Sequence, residues 1–191
     1  MTAPYPNQTL PARGPVAMFG LIAAESAIFT IFVVAYIFYI GKSQTGPQPK
    51  DVLEAPIFFS ICLLSSSLTI HRAVEALRKG RSMSFNAWWG STILLGAIFL
   101  LGTASEWHRL IYNYGLTIST NLFGTTYYSL VGLHGFHVVV GLIGLITVMA
   151  FALLGKVKPE HAPRAYVLSL YWHFVDIVWV VVFTVVYVIG R

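Results

Sequence analysis

Five uninterrupted apolar runs dominate this chain, at residues 16–40, 56–77, 85–107, 122–154 and 165–189. Each exceeds the roughly 20 residues an α-helix needs to cross about 30 Å of hydrocarbon. A soluble helical domain needs polar faces that these runs lack, and a membrane barrel needs alternating strands rather than continuous runs. The expected fold is therefore all-α: a polytopic membrane protein of five transmembrane helices, forming one integral membrane domain over residues 1–191. The fourth run is too long for a perpendicular crossing, so its end is expected to project or its helix to tilt.

The connections are short. Gly46-Pro47-Gln48-Pro49 breaks the first loop, Lys79-Gly80-Arg81 reads as a tight basic turn, and Pro159 and Pro163 punctuate the fourth loop. The third loop, expected over 112–121, carries aromatics that favour a membrane interface. No internal repeat is visible, which leaves a transporter of inverted halves without support. Residues 1–15 lack a basic leader region and a small-residue cleavage site, so the first span is expected to be retained. The single cysteine, Cys62, excludes a disulfide framework and a cysteine-based metal site, and reads as a packing residue.

Basic residues suggest an orientation. Arg13, Arg72, Arg78, Lys79, Arg81, Lys156, Lys158 and Arg164 fall on one side of a five-span topology, and Lys42, Lys50, Arg109 and Arg191 on the other. Eight against four places the N-terminus in the cytoplasm and the C-terminus outside. The net charge of +5 then belongs mostly to helix ends at the cytoplasmic leaflet. It does not describe a nucleic-acid-binding domain.

The informative residues are the polar ones inside the spans, since an ionisable group in hydrocarbon costs several kcal/mol unless it is paired. At about 100° per residue, Tyr166, Ser169, His173, Asp176, Thr184 and Tyr187 form one stripe on the fifth helix. His134, His137, Gly141 and Gly144 share a face on the fourth, where the glycines admit a close neighbour. A His137–Asp176 or His134–His173 contact is expected. These four residues read as an intramembrane hydrogen-bonded network that fixes packing, as a proton-handling or partner-contact site, or as a metal or haem site. The last is the poorest fit, because histidines neighbouring one another on a single helix serve axial haem ligation badly.

Glu25, within the first span, reads either as a carboxyl hydrogen-bonded to a nearby serine or backbone carbonyl, or as a proton- or lipid-associated site in a cleft. Glu106 is expected to anchor a helix end with Arg109 at i+3. His71, Arg72 and Glu75 read as an interfacial ion-pair set, with a phospholipid headgroup as the second reading; Arg164 is a further interface candidate. No nucleophile triad, phosphate loop or carboxylate pair for acid–base work is present, so no self-contained active site is expected.

Ala104-Ser105-Glu106-Trp107, His134-Gly135-Phe136-His137-Val138 with Gly141, and Tyr171-Trp172-His173-Phe174-Val175-Asp176-Ile177-Val178-Trp179 follow one another after the Glu25-Ser26 pair. In that order they closely resemble cytochrome c oxidase subunit III of the haem-copper oxidases, in its short five-helix bacterial form. The resemblance covers nearly the whole chain. It implies a V-shaped bundle with phospholipids held in a cleft, and a non-catalytic core subunit of a proton-pumping terminal oxidase in the bacterial inner membrane. It further implies no cofactor in this chain, with haem and copper in partner subunits I and II, contact with subunit I, and support of proton uptake. The family's first-span glutamate, matched by Glu25, is a site of modification by hydrophobic carbodiimides. The short form also occurs in quinol oxidases, so the resemblance leaves cytochrome c and quinol open as donors to the complex. Two other classes compete with this reading: a proton-coupled carrier built on buried carboxylates, and an independent di-histidine haem protein.

Overall fold

The computed structural model describes residues 13–43 and 45–190. Residues 1–12, most of the segment expected to lack a leader, lie outside the described residues, as does Arg191 of the charge count. The elements are α1 (Arg13–Tyr39), a single turn α2 (Pro49–Val52), α3 (Ile57–Arg78), α4 (Ser82–Tyr114), α5 (Leu122–Leu153) and α6 (Ala162–Phe183). A 3-10 turn, Pro159–His161, leads into α6, and a π-helical segment, Thr184–Ile189, continues it. Among the described residues, five helices are long and apolar enough to cross a membrane, and there is no strand. The chain is a polytopic helical membrane protein.

The helix ends follow local chemistry. At the end of α3, Gly80 adopts φ +69°, its N–H donates to Leu77 O at 3.0 Å, and Arg81 N–H donates to Ala76 O at 3.0 Å. This is a Schellman closure, which needs a left-handed residue at the position after the cap, and glycine takes it without a Cβ penalty. The chain reverses within three residues, and α3 and α4 form a hairpin packed along its length. Asn121 starts α5, its side-chain oxygen accepting from Gly124 N–H at 2.8 Å.

Two boundaries differ from expectation. α4 runs to Tyr114 and ends at Gly115, which is left-handed, so the third loop starts three residues later than expected from hydropathy. Tyr112 and Tyr114 propagate the helix beyond the apolar run, because interfacial aromatics tolerate a helix that projects into the headgroups. On α6, Tyr166 and Thr184 leave the expected inward stripe and are exposed, whereas Ser169, Asp176 and Tyr187 are buried. Both lie about 80° around the helix from Asp176 at about 100° per residue. Thr184 turns its hydroxyl to Val180 O at 2.8 Å instead.

α5 and α6 are the centre of the molecule. α1 covers one side of the pair and touches both; the α3–α4 hairpin covers the other, α4 against α5 and α3 against α6. Lipid tails are as apolar as leucine, so helix association here must come from close packing and satisfied donors rather than from exclusion of water. The three fully buried tryptophans supply both. Trp172 lies in a slot left by two glycines: a Cβ at Gly96 would meet its ring at 2.9 Å, and one at Gly141 at 2.8 Å. Its indole N–H donates to Ser66 Oγ at 2.8 Å. Trp179 donates to Ser60 Oγ at 3.0 Å, and Trp89 to Leu145 O at 2.9 Å. Each bond ties one helix to another with no polar atom left facing hydrocarbon.

A candidate functional site along the helix seams

The buried ionisable groups are distributed over separate contacts rather than one network. The expected His137–Asp176 and His134–His173 contacts do not form, because His137 faces α1, Asp176 and His173 face α3, and His134 packs on Trp179 and Phe99.

His137 faces α1. Its Nδ1–H donates to Leu133 O at 2.8 Å, which leaves Nε2 directed at Glu25 Oε2, 3.1 Å away. A carboxyl and an imidazole at that separation hold one proton between them. Either the neutral acid donates to Nε2, or the imidazolium donates to the carboxylate. Phe29 packs on the imidazole with ring centroids 5.0 Å apart, and Tyr171 donates its hydroxyl to His137 O at 3.2 Å. Glu25 thus bonds a histidine of α5, where a serine or backbone carbonyl was the expected partner; Ser26 bonds Ile22 O at 2.7 Å instead. The His137 side chain is 8% exposed and that of Glu25 24%, so the pair opens slightly to the α1 side.

Asp176 faces α3. Ser67 donates its hydroxyl to Asp176 Oδ2 and lies 3.0 Å from His173 Nδ1. One hydroxyl has one proton, so His173 Nδ1–H is the donor to Ser67 Oγ. The second carboxyl oxygen of Asp176, Oδ1, is buried without a hydrogen-bond partner among the described residues. Ser67 was not singled out in the sequence, although the Ser65-Ser66-Ser67 run inside an apolar span is a visible signal.

His134 is 1% exposed and neither of its ring nitrogens has a partner among the described residues. It stacks on Trp179 at 5.0 Å with rings 30° apart, and meets the edge of Phe99 at 5.8 Å. An imidazole held this way acts as an aromatic filler. Among the described residues, no group of three or more His, Cys, Asp and Glu side chains is placed to hold a metal ion.

Toward the other end of the bundle, Tyr187 donates to Glu106 Oε2 at 2.9 Å, and the Tyr127 and Tyr187 hydroxyls are 3.4 Å apart. Glu106 therefore ties α4 to the end of α6 instead of pairing with Arg109, which bonds Glu54 across the start of α3. Of the expected set His71, Arg72 and Glu75, only Glu75 is in an ion pair among the described residues, and its partner is Lys79, one turn along. His71 instead lines a cavity of about 380 Å³ with Glu75, Arg78, Ser169 and His173. Arg72 borders another, of about 230 Å³, with Lys79, Arg81 and Trp88. Arg164 lies in the first turn of α6, beside the α5–α6 connection. Between α1 and α6 runs a groove of about 490 Å³ walled by Phe19, Ile22, Phe29, Val33, Phe174 and Val178, with Ser26, Thr30 and His173 at its edge.

Among the described residues, the buried polar groups of this membrane bundle mostly join helices pairwise. The chain belongs to the cytochrome c oxidase subunit III family, whose model matches residues 19–191. It is 35% identical to cytochrome c oxidase subunit 3 of Bacillus sp. strain PS3, over 98% of this chain and 92% of that protein. It is 36% identical to the subunit of that name from Alkalihalophilus pseudofirmus, over 88% of this chain and 83% of that protein. A third relative, cytochrome bo(3) ubiquinol oxidase subunit 3 of Pseudomonas aeruginosa, is 36% identical over 88% of this chain and 81% of its own length. The role is that of subunit III of a haem-copper oxidase.

Proposed function

We propose that this chain is a non-catalytic core subunit of an oxygen-reducing, proton-translocating haem-copper oxidase in a bacterial cytoplasmic membrane, with its N-terminus on the cytoplasmic side. In this reading it forms one membrane domain against subunit I, stabilises that subunit, supports its proton uptake and holds structural phospholipids. Haem and copper belong to subunits I and II. The observation that carries the reading is the use of the buried polar groups. Ser60, Ser66, Ser67, His137, Asp176 and Glu106 each bond a residue of a neighbouring helix, which is what a scaffold requires and leaves little for chemistry.

The α1–α6 groove is the place for a lipid acyl chain: it is walled by apolar side chains and sits between two membrane-length helices. The Glu25–His137 pair is the proton-handling candidate, because its hydrogen bond needs one movable proton and its carboxyl is partly open. Relatives named for cytochrome c and for ubiquinol are equally similar, which fits a donor bound by the partner subunits.

Purification of the tagged chain in mild detergent, with a visible spectrum and mass spectrometry of accompanying proteins, tests this function. The expected result is haem bands that travel with two larger partners and vanish when the chain is stripped from them. A chain that purifies alone, colourless, and takes up protons in liposomes in a Glu25-dependent way establishes the carrier instead.

A further inference from the structure

Between the start of α3 and the last third of α4 lies a cavity of about 410 Å³, and none of its lining residues borders the α1–α6 groove. One end is apolar, lined by Pro56, Phe58 and Phe59, whose two rings meet edge to face at 5.4 Å. Phe59 lies so close to the backbone of Gly102 that a Cβ there has no room, which seats this end against α4. The other end is polar and carries Glu54, Ser105, Glu106 and Arg109. Arg109 follows the apolar run of its helix and Gly102 lies two turns inside it, so the cavity runs from the headgroup level into the bundle.

The polar end holds a surplus of acid. Glu54 and Glu106 bring two carboxyls and Arg109 one guanidinium, which bonds Glu54. Glu106 gives Oε2 to the Tyr187 hydroxyl at 2.9 Å, and its Oε1 is buried without a hydrogen-bond partner among the described residues. A buried acceptor left unmet is costly, and Glu54 is 74% exposed with one guanidinium for a partner. We infer that this cavity receives a lysine side chain from a neighbouring subunit, with its ammonium at Glu54 beside Glu106 and its methylene stem along Phe58 and Phe59. The inference rests on the reading of this chain as a subunit docked on larger partners.

Charge and shape together select that occupant. A lysine near the end of a transmembrane helix lays its stem on apolar surface and carries its charge to the interface, which matches a cavity apolar at depth and acidic at the headgroups. Aromatic faces beside an ammonium add to the attraction. A metal ion or a small soluble amine gains nothing from the apolar end. A zwitterionic lipid brings a phosphate along with its ammonium, to a place already in surplus of acid. An arginine is suited to a planar pair of acceptor oxygens, whereas the free acceptor of Glu106 is a single oxygen and Glu54 already holds one guanidinium. A lysine supplies one compact positive charge, and one is what the site lacks.

The test uses the full chain purified in mild detergent with the proteins that accompany it. A water-soluble carbodiimide is added, which joins a carboxyl to an amine in contact with it as an amide, and the joined peptides are mapped by mass spectrometry. The expected result is an amide between Glu54 or Glu106 and a lysine of an accompanying subunit. E54K is expected to speed release of that subunit about tenfold, at the low end of the effects of close charge pairs across an interface. Exchanging the mapped lysine for glutamate in the E54K background is expected to restore the wild-type rate, which separates lost contact from lost folding. An amide formed only to Lys50 of this chain overturns the proposal. So does one to the amine of phosphatidylethanolamine, which assigns the cavity to a lipid headgroup. An intact complex that gives no such amide, release unchanged in E54K, or release not restored by the exchange also overturns it, and leaves the subunit reading standing. A chain that purifies without partners overturns both.

Discussion

His137 of α5 and Glu25 of α1 meet through Nε2 and Oε2 at 3.1 Å, and among the described residues this is the one polar bond that ties α1 to the central pair through two ionisable side chains. α1 otherwise adheres through apolar packing on α5 and α6. Glu25→Gln keeps a hydrogen bond to the imidazole and is expected to be mild. Glu25→Ala and His137→Phe each break it. Their effects on the thermal stability of the purified complex should be non-additive, with a coupling of about 0.5–1.5 kcal/mol, the range of interhelical hydrogen bonds in membranes. Additive losses in the double variant would show that the bond contributes nothing.

Packing around Trp172 gives a second expectation. A methyl group at Gly141 would approach the indole ring to 2.8 Å, and overpacking of this kind costs about 1–3 kcal/mol. Gly141→Ala should therefore lower the midpoint of thermal aggregation and the yield of assembled complex. Shrinking the ring in Gly141→Ala/Trp172→Phe should recover part of the loss. The recovery is partial because the phenyl ring abandons the hydrogen bond to Ser66 Oγ.

The five spans were legible because hydrocarbon imposes one requirement, about 20 apolar residues per crossing, that composition displays directly. The family motifs were legible as well, and they marked residues that the fold does bury: His134, His137 and Asp176 are each 6% exposed or less. What the motifs did not contain was the partner of each residue. His137 and Asp176 lie at comparable depth on adjacent helices, and depth alone favoured pairing them. Azimuth decides otherwise, turning His137 toward α1 and Asp176 toward α3. Azimuth depends on which helix occupies each flank, and periodicity within one helix does not encode that. Arg109 illustrates the same limit: an i+3 neighbour was the natural partner for Glu106, yet the chain brings Glu54 to Arg109 and Tyr187 to Glu106 from distant segments.

Ser67 and Asp176 support a third prediction. The Ser67 hydroxyl is the donor to the Asp176 carboxyl, whose other oxygen already lacks a partner among the described residues. Ser67→Ala leaves a buried acid with no donor on either oxygen, at a cost of about 1–3 kcal/mol. In an Asp176→Leu background the same change should cost much less, since no polar group is then stranded. The haem spectrum of the complex should be unaltered in all three variants, because the residues join helices of this chain. A change in haem ligation would place Asp176 in contact with a redox centre and contradict the scaffold role.

The Glu54–Arg109 and Glu106–Tyr187 contacts should respond differently to salt. Glu54 is 74% exposed and Arg109 27%, so their ion pair is screened and worth about 0–1 kcal/mol. Its coupling, measured by Glu54→Gln and Arg109→Gln singly and together, should shrink as ionic strength rises. The Glu106–Tyr187 bond lies among buried tyrosines, where bulk ions do not reach. Tyr187→Phe should lower thermal stability by about 1 kcal/mol at low and high salt alike. Glu106→Gln should lose little, since the amide oxygen still accepts the tyrosine hydroxyl. A cycle between Glu106 and Arg109 should show no coupling; a measured coupling above about 0.5 kcal/mol would restore the i+3 pair and displace Tyr187 as the partner of Glu106.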